Sequence, residues 1–242
     1  MRKRRVLITG AAGNIGTKLR NAFRDKYDLI LLDKKRLNDP NSRRADLSIY
    51  DDNWARHFGN VSTVIHLAAN PFEGARWQEL IPDNINAVLN VCQACAEKSV
   101  ERLIFASSCH TMLGYKDREI DLITADMEPF PDCDYGASKL IGERICKSYS
   151  DRYPLSVICL RIGWVPREDK MPGINTSLWL KSLWLSNRDL VQVFEKAIEA
   201  KNIKFKILYA MSNNEGMNWD LRTTMKTLNY KPVDRIYKLK GN

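Results

Sequence analysis

The sequence predicts an α/β fold: a doubly wound parallel sheet with helices on both faces, followed by a small C-terminal substrate-binding portion. Three observations carry this reading. Short apolar runs alternate with helical patterns along the chain. The apolar runs lack a strict apolar/polar alternation, as strands buried on both faces do. A glycine-rich turn joins the first apolar run to the first helical pattern.

The elements follow in order. Residues 6–8 are a short buried strand and 14–23 have a helical period. Residues 28–33 are a second apolar strand that ends in a carboxylate. A third strand closes at Ala45-Asp46-Leu47, after a polar loop holding Asn38, Asp39, Pro40 and Asn41. Residues 51–58 read as a helix, and 61–66 as the fourth strand. Residues 79–97 form a long helix, in which Pro82 is tolerable only near the start. Residues 102–107 are the fifth strand, and 135–149 a helix with two charged faces. Residues 155–161 are the sixth strand, 189–200 another helix and 203–208 a last strand. The least regular stretch is 164–188, with Pro166, Pro172, Gly173, Trp179 and Trp184. A loop of that length is usually functional, so a lid or substrate wall is expected there. No repeat or linker interrupts the chain. Residues 1–242 are read as one domain, with 164–188 and the C-terminal part on the substrate side.

Composition narrows the function classes. Apolar residues make up 44% of the 242 and charged residues 28%, ordinary values for a globular protein. No apolar run approaches the roughly 18–20 residues of a membrane span. The start Met1-Arg2-Lys3-Arg4-Arg5 is basic like a signal peptide, but Val6-Leu7-Ile8 is too short for its apolar core. A cytoplasmic protein with no membrane partner is expected. The net charge of +9 could serve nucleic acid or an anionic metabolite. Lysines and arginines are spread along the whole chain with no nucleic-acid module, so the charge is read as solubility. Cys92-Gln93-Ala94-Cys95 has metal-like spacing, but it lies in a helical pattern with no second pair or nearby histidine. These cysteines read as small buried residues, and no metal is expected.

The glycine turn is Thr9-Gly10-Ala11-Ala12-Gly13-Asn14-Ile15-Gly16. Gly10 permits a tight turn, Gly13 lets backbone approach a pyrophosphate, and Gly16 lets helix pack on strand. The helix N-terminus then offers N–H groups to phosphate. This is the fingerprint of a Rossmann-type dinucleotide site. Asp33 ends the second strand 17 positions after Gly16, where a carboxylate would accept hydrogen bonds from the adenosine ribose and repel a 2′-phosphate. NAD is therefore the expected cofactor, although Lys34, Lys35 and Arg36 follow at once.

The second motif is Tyr135-Gly136-Ala137-Ser138-Lys139. A tyrosine and a lysine four apart share a helix face. An ammonium there lowers the cost of forming phenolate, which suits the tyrosine to act as a base. Ser108, at the end of the fifth strand, can hydrogen-bond the same substrate oxygen. Alone, Tyr-x-x-x-Lys is a weak signal; after the glycine turn and Ser108 it becomes a strong one.

With these residues the chain resembles the extended short-chain dehydrogenase, or NAD-dependent epimerase/dehydratase, family. Matching stretches are Thr9 to Gly16, Asp33, Asp46-Leu47, His66-Leu67-Ala68-Ala69, Asn86, Ser107-Ser108, Tyr135 to Lys139 and Arg161-Ile162-Gly163. The resemblance implies that Asp46 and Leu47 flank the adenine, and that Leu67, Ala68 and Ala69 line the dinucleotide. It implies that Asn86 supports the site through the central helix and that Ile162 adjoins the cofactor. Ser108, Tyr135 and Lys139 would be the catalytic trio, with Tyr135 and Lys139 also touching the cofactor. By analogy the two long helices could pair in a homodimer.

The uronate dehydrogenases, which oxidise C1 of a hexuronic acid, are similar in more detail. The stretch from Phe105 to Tyr115 carries this, and His110 matches a substrate-contacting histidine. Four positions depart from that group. Pro71 and Trp164 stand where it places serines, Cys109 replaces an asparagine, and Trp179 falls where a carboxylate-binding arginine belongs. The candidate substrate residues are Ser108, Cys109, His110, Tyr135, Arg76 and Trp164. Arg76, Arg167 and Lys170 are the basic candidates for an anionic group. The leading expectation is NAD-dependent oxidation of a hydroxyl, at C1, of a sugar, sugar acid or sugar phosphate. The alternatives are a nucleotide-sugar epimerase or dehydratase, and a non-catalytic NAD-binding regulatory protein.

Overall fold

The computed structural model describes residues 3–173 and 175–237. Its strands are β1 (Arg5–Thr9), β2 (Asp28–Asp33), β3 (Ser42–Arg44), β4 (Thr63–His66), β5 (Arg102–Ser108), β6 (Ser156–Ile162) and β7 (Phe205–Ala210). Its helices are α1 (Asn14–Phe23), α2 (Asp52–Ala55), α3 (Trp77–Leu80), α4 (Ala87–Glu97), α5 (Asp134–Arg152), α6 (Leu178–Ser182), α7 (Asn187–Glu199) and α8 (Arg222–Leu228). The strands form one parallel sheet in the order β3-β2-β1-β4-β5-β6-β7. This is the doubly wound, Rossmann-type sheet that the sequence predicts. The order reverses between β1 and β4, and in such sheets ligands bind beyond the carboxyl ends of the strands at this point.

Successive strand residues point to opposite faces. Val6 and Ile8 pack with Leu19 and Phe23 of α1 and Leu190, Val193 and Phe194 of α7. Leu7, between them, packs with Trp54 of α2, Val88 and Val91 of α4 and Cys146 of α5. Both faces are buried, which explains the missing alternation in the sequence. Cys92 and Cys95 are buried in α4, and the Cys92 sulfur lies 3.8 Å from that of Cys146.

Several boundaries differ from expectation. β3 occupies Ser42–Arg44, before Ala45-Asp46-Leu47, and pairs with β2 through mostly exposed polar residues that carry no hydrophobic signal. The helix expected over 79–97 begins at Trp77 and widens into a π-type turn at Ile81–Asn86 before α4. Pro82 lacks an N–H and crowds the preceding turn, so the regular ladder cannot pass through it. The stretch 164–188 holds α6 and a bridge between Trp164 and Trp184, in which Trp164 N–H donates to Leu183 O at 2.7 Å. α8, which has only Thr224 and Leu228 buried, is an element that periodicity did not show. Among the described residues, no helix is long and apolar enough to cross a membrane.

Candidate active site

The glycine turn is packed too tightly for side chains. Gly10 has φ +67°, and a Cβ there would lie 2.7 Å from Ala68 N. A Cβ on Gly16 would lie 2.2 Å from Gly10 O. This contact sets the first turn of α1 against the ends of β1 and β4. Gly13 is the N-cap and gives no side-chain cap, so the first N–H groups of α1 keep their capacity for a phosphate. Asn14 turns away from that end: it donates to Val165 O at 2.9 Å and accepts from Lys18 at 2.7 Å. Lys18 also donates to Pro166 O and Arg167 O, at 3.0 and 2.9 Å. Asn14 and Lys18 thereby clamp the start of the 164–188 segment onto α1. Ile15 packs into the core beneath.

Asp33 closes the nucleotide side. Its two oxygens accept from Ala12 N–H and Lys35 N–H, each at 2.8 Å. Lys34, a possible phosphate partner by sequence, is engaged with Asp46 at 3.2 Å and Asp83 at 2.5 Å. Asp46 is exposed, whereas Leu47 is buried against the second face of the sheet. Leu67, Ala68 and Ala69 are half-buried beside the glycine turn. Leu67 and Ala68 donate backbone N–H groups to the Thr9 hydroxyl. That hydroxyl also pairs with His66 Nδ1 at 2.7 Å. Burial, with a smaller contribution from the Lys139 charge, lowers the His66 pKa to about 3 and keeps the ring neutral. Ile162 is buried at the end of β6.

These donors and cradles fit NAD. The glycine turn leaves backbone bare for the pyrophosphate, and Asp33 stands fixed for the ribose. Asp33→Ala is expected to narrow or reverse the preference for NAD, because Lys35 and Arg36 are exposed beside it. Wild-type kcat/KM values that favour NADP would overturn this assignment of Asp33.

Ser108 ends β5 beside the Tyr135 phenol, close enough to lower its pKa. Tyr135 stands in the first turn of α5, where a Cβ on Gly136 would lie 2.3 Å from His110 O. Only glycine lets α5 come so close to the loop after β5, and that closeness brings Tyr135 to Ser108. Lys139 is one turn further on. Its ammonium donates to Ala106 O at 2.9 Å and lies 5.8 Å from the centre of the Tyr135 ring. Burial pushes Tyr135 up to about 12, with Ser108 acting the other way. Burial pushes Lys139 down to about 8. The expected lowering of the tyrosine by the ammonium is thus outweighed by desolvation in this arrangement.

Three of the expected site residues sit otherwise than the sequence suggested. Asn86 is exposed; Asn84 is the buried asparagine. Asn84 accepts from Asn70 N–H at 2.7 Å and donates to Asn70 O at 3.1 Å and to the Ser138 hydroxyl at 2.9 Å. It staples the loop after β4 to α5, next to Lys139. Cys109 is buried, with its sulfur 3.5 Å from Arg161 O, and packs in an apolar cluster rather than facing substrate. Arg76 precedes α3 with an exposed side chain. Trp164 is half-buried against the cluster that holds Cys109 and Trp179.

His110 was expected at the substrate, but most of its neighbours were not. His110 meets the Tyr135 ring edge-on at 5.5 Å between centres. Its Nδ1 is 2.9 Å from Asp132, which the sequence offered only as a dehydratase acid/base, and its Nε2 is 3.2 Å from Glu73, which sequence separation concealed. Beneath the trio, Arg161 makes a bidentate pair with Glu143 at 2.9 Å, and the Ser107 hydroxyl donates to Glu143 at 2.6 Å. Asn84 was legible: with Val88, Val91 and Cys95 it lies on the buried stripe of the central helix, whereas Asn86 shares a polar face with Asn90, Gln93 and Glu97.

Known proteins agree with this architecture. The model of the NAD dependent epimerase/dehydratase family matches residues 6–166. The chain is 30% identical to the L-arabinose 1-dehydrogenase (NAD(P)(+)) of Haloferax volcanii, over 95% of this chain and 96% of that one. It is 31% identical to the NAD-dependent glucose-6-phosphate dehydrogenase of the same organism, over 95% and 93%. It superposes on the crystal structure of uronate dehydrogenase from Agrobacterium tumefaciens with a TM-score of 0.84 and 27% identity, covering 97% and 86%. An alanine variant of that enzyme has been solved with NAD. The glycine turn, the fixed Asp33 and these matches together show that the chain is an NAD-binding member of the NAD-dependent epimerase/dehydratase family.

Proposed function

We propose that the protein is a dehydrogenase that oxidises the C1 hydroxyl of an aldose, passing hydride to NAD. The observation that carries this reading is the meeting of Ser108, Tyr135 and Lys139 at the end of β5. Ser108 holds the substrate oxygen and Tyr135 takes its proton. The Lys139 ammonium favours the phenolate electrostatically. Bound NAD supplies the hydride acceptor, and the protein supplies placement. Two of the relatives, an arabinose and a glucose 6-phosphate dehydrogenase by name, support this reading. For the dehydratase alternative, Asp132 and Asp134 would have to act at the substrate; Asp132 is paired with His110 and Asp134 is exposed.

Within the aldose class, the surroundings favour a neutral sugar over a uronate. Glu73 and Asp132 flank His110, so a substrate carboxylate there would meet like charge. Lys170 is paired with Glu168, so it meets a phosphate only by exchange, whereas Arg167 is exposed at the surface. The test compares kcat/KM for L-arabinose, glucose, glucose 6-phosphate and glucuronate with NAD. A neutral aldose should exceed glucuronate by about 5- to 150-fold, the value of one lost polar contact in a buried site. A clear preference for glucuronate would overturn the substrate assignment, and no NAD reduction with any sugar would overturn the reaction. We carry the homodimer forward as part of this proposal: exposed Leu89 of α4 and Ile141 of α5 line one apolar groove suited to pairing these helices.

A further inference from the structure

At the N-terminal end of α5, three unlike donor atoms converge beside the trio. His110 Nδ1 lies 2.9 and 3.1 Å from the two Asp132 oxygens and 3.6 Å from Cys133 Sγ. One atom from each residue lies within 4.8 Å of the others. Tetrahedral zinc, with Zn–S of about 2.3 Å and Zn–N of about 2.0–2.1 Å, separates a nitrogen and a sulfur ligand by about 3.6 Å. The nitrogen–sulfur separation here already has that value. The carboxylate needs to retreat by only a few tenths of an ångström.

The other side of the ring is arranged to match. His110 Nε2 faces Glu73 at 3.2 Å. A carboxylate on one imidazole nitrogen fixes its proton there and turns the other nitrogen's lone pair outward, as around metal-bound histidines. A cation on Nδ1 would replace the proton shared with Asp132, and Glu73 would accept from the Nε2–H. Asp132 and Cys133 are adjacent in the chain and His110 arrives from the loop after β5.

We propose that His110 Nδ1, Cys133 Sγ and an Asp132 oxygen form a site for a divalent cation of the zinc class, with water as fourth ligand and Glu73 orienting the histidine. The mixed nitrogen, sulfur and oxygen set favours zinc or cobalt over magnesium or calcium. Occupancy immobilises the ring that meets Tyr135. Zinc is therefore a brake on turnover; this consequence, unlike binding itself, rests on the dehydrogenase reading.

The test begins with binding to the whole protein, freed of metal by a chelator. Cobalt(II) should bind one per chain and give a thiolate-to-cobalt charge-transfer band with intense tetrahedral visible bands, and zinc should displace it. The five other cysteines are free; four are buried around the sheet and Cys109 in its own cluster, so the band reports Cys133. Cys133→Ser keeps an oxygen to cap Gly136 but removes the sulfur. It should abolish the charge-transfer band and weaken zinc binding at least about tenfold, the scale of a weakened ligand set. Asp132→Asn should weaken binding with the band retained. Unchanged melting temperatures would show that both variants fold. Absence of the band in the wild type, or zinc binding that neither variant weakens, would overturn the site and leave His110 as a simple ion-pair partner of two carboxylates. Zinc binding without loss of turnover would overturn the brake alone.

Discussion

Tyr135→Phe is expected to lower kcat for sugar oxidation by about 10²–10⁴-fold, the usual value of a general base, while NAD affinity stays nearly unchanged. The phenol hydroxyl meets Ser108, but the ring stays in place through its packing against His110 and the first turn of α5. The substitution therefore removes a proton acceptor and little else. The pH profile separates this from a structural effect. Burial holds Tyr135 up to about 12, so the phenolate needed for oxidation becomes more populated as pH rises. The wild-type rate should climb from neutral until Lys139, held down to about 8 by burial, loses its charge, and the phenylalanine variant should lose that rising limb. A variant that kept most of its activity would show that another group accepts the proton.

The second large effect lies beneath the site. Glu143→Gln should destabilise the protein by about 3–5 kcal/mol, since removing one partner of a buried pair strands the other charge. Arg161 and Glu143 are 1% and 0% exposed, so water cannot replace the lost partner. For a chain of this size, about 2–4 °C per kcal/mol gives a fall in Tm of roughly 6–20 °C. The loss should be much smaller in a double variant, Glu143→Leu with Arg161→Met, because well-packed apolar replacements of a buried pair are often neutral. Scanning calorimetry of the single and double variants decides it. A double variant as unstable as the single one would mean that packing, not charge, holds α5 against β5 and β6. The pair bears on activity as well: Glu143 lies one turn beyond Lys139 and also accepts from Ser107, the neighbour of Ser108.

The sequence alone determined the fold class, the family and the cofactor turn. Strands buried on both faces leave apolar runs, and a tight strand–helix junction admits only glycine at Gly10 and Gly16, so these features are local and visible in the chain. The Tyr135–Lys139 spacing is likewise fixed by one helical turn. Tertiary structure decided what depends on distant residues meeting. It gave buried Asn84 its partners, Asn70 and Ser138, which no helical period shows. It turned Cys109 into a core residue and Lys34 toward Asp46 and Asp83. It placed Glu73 and Asp132, 59 positions apart, on either side of one histidine. No local pattern encodes such a meeting, because hydrogen bonds and charges act through space and the chain brings these residues together only when the sheet is complete.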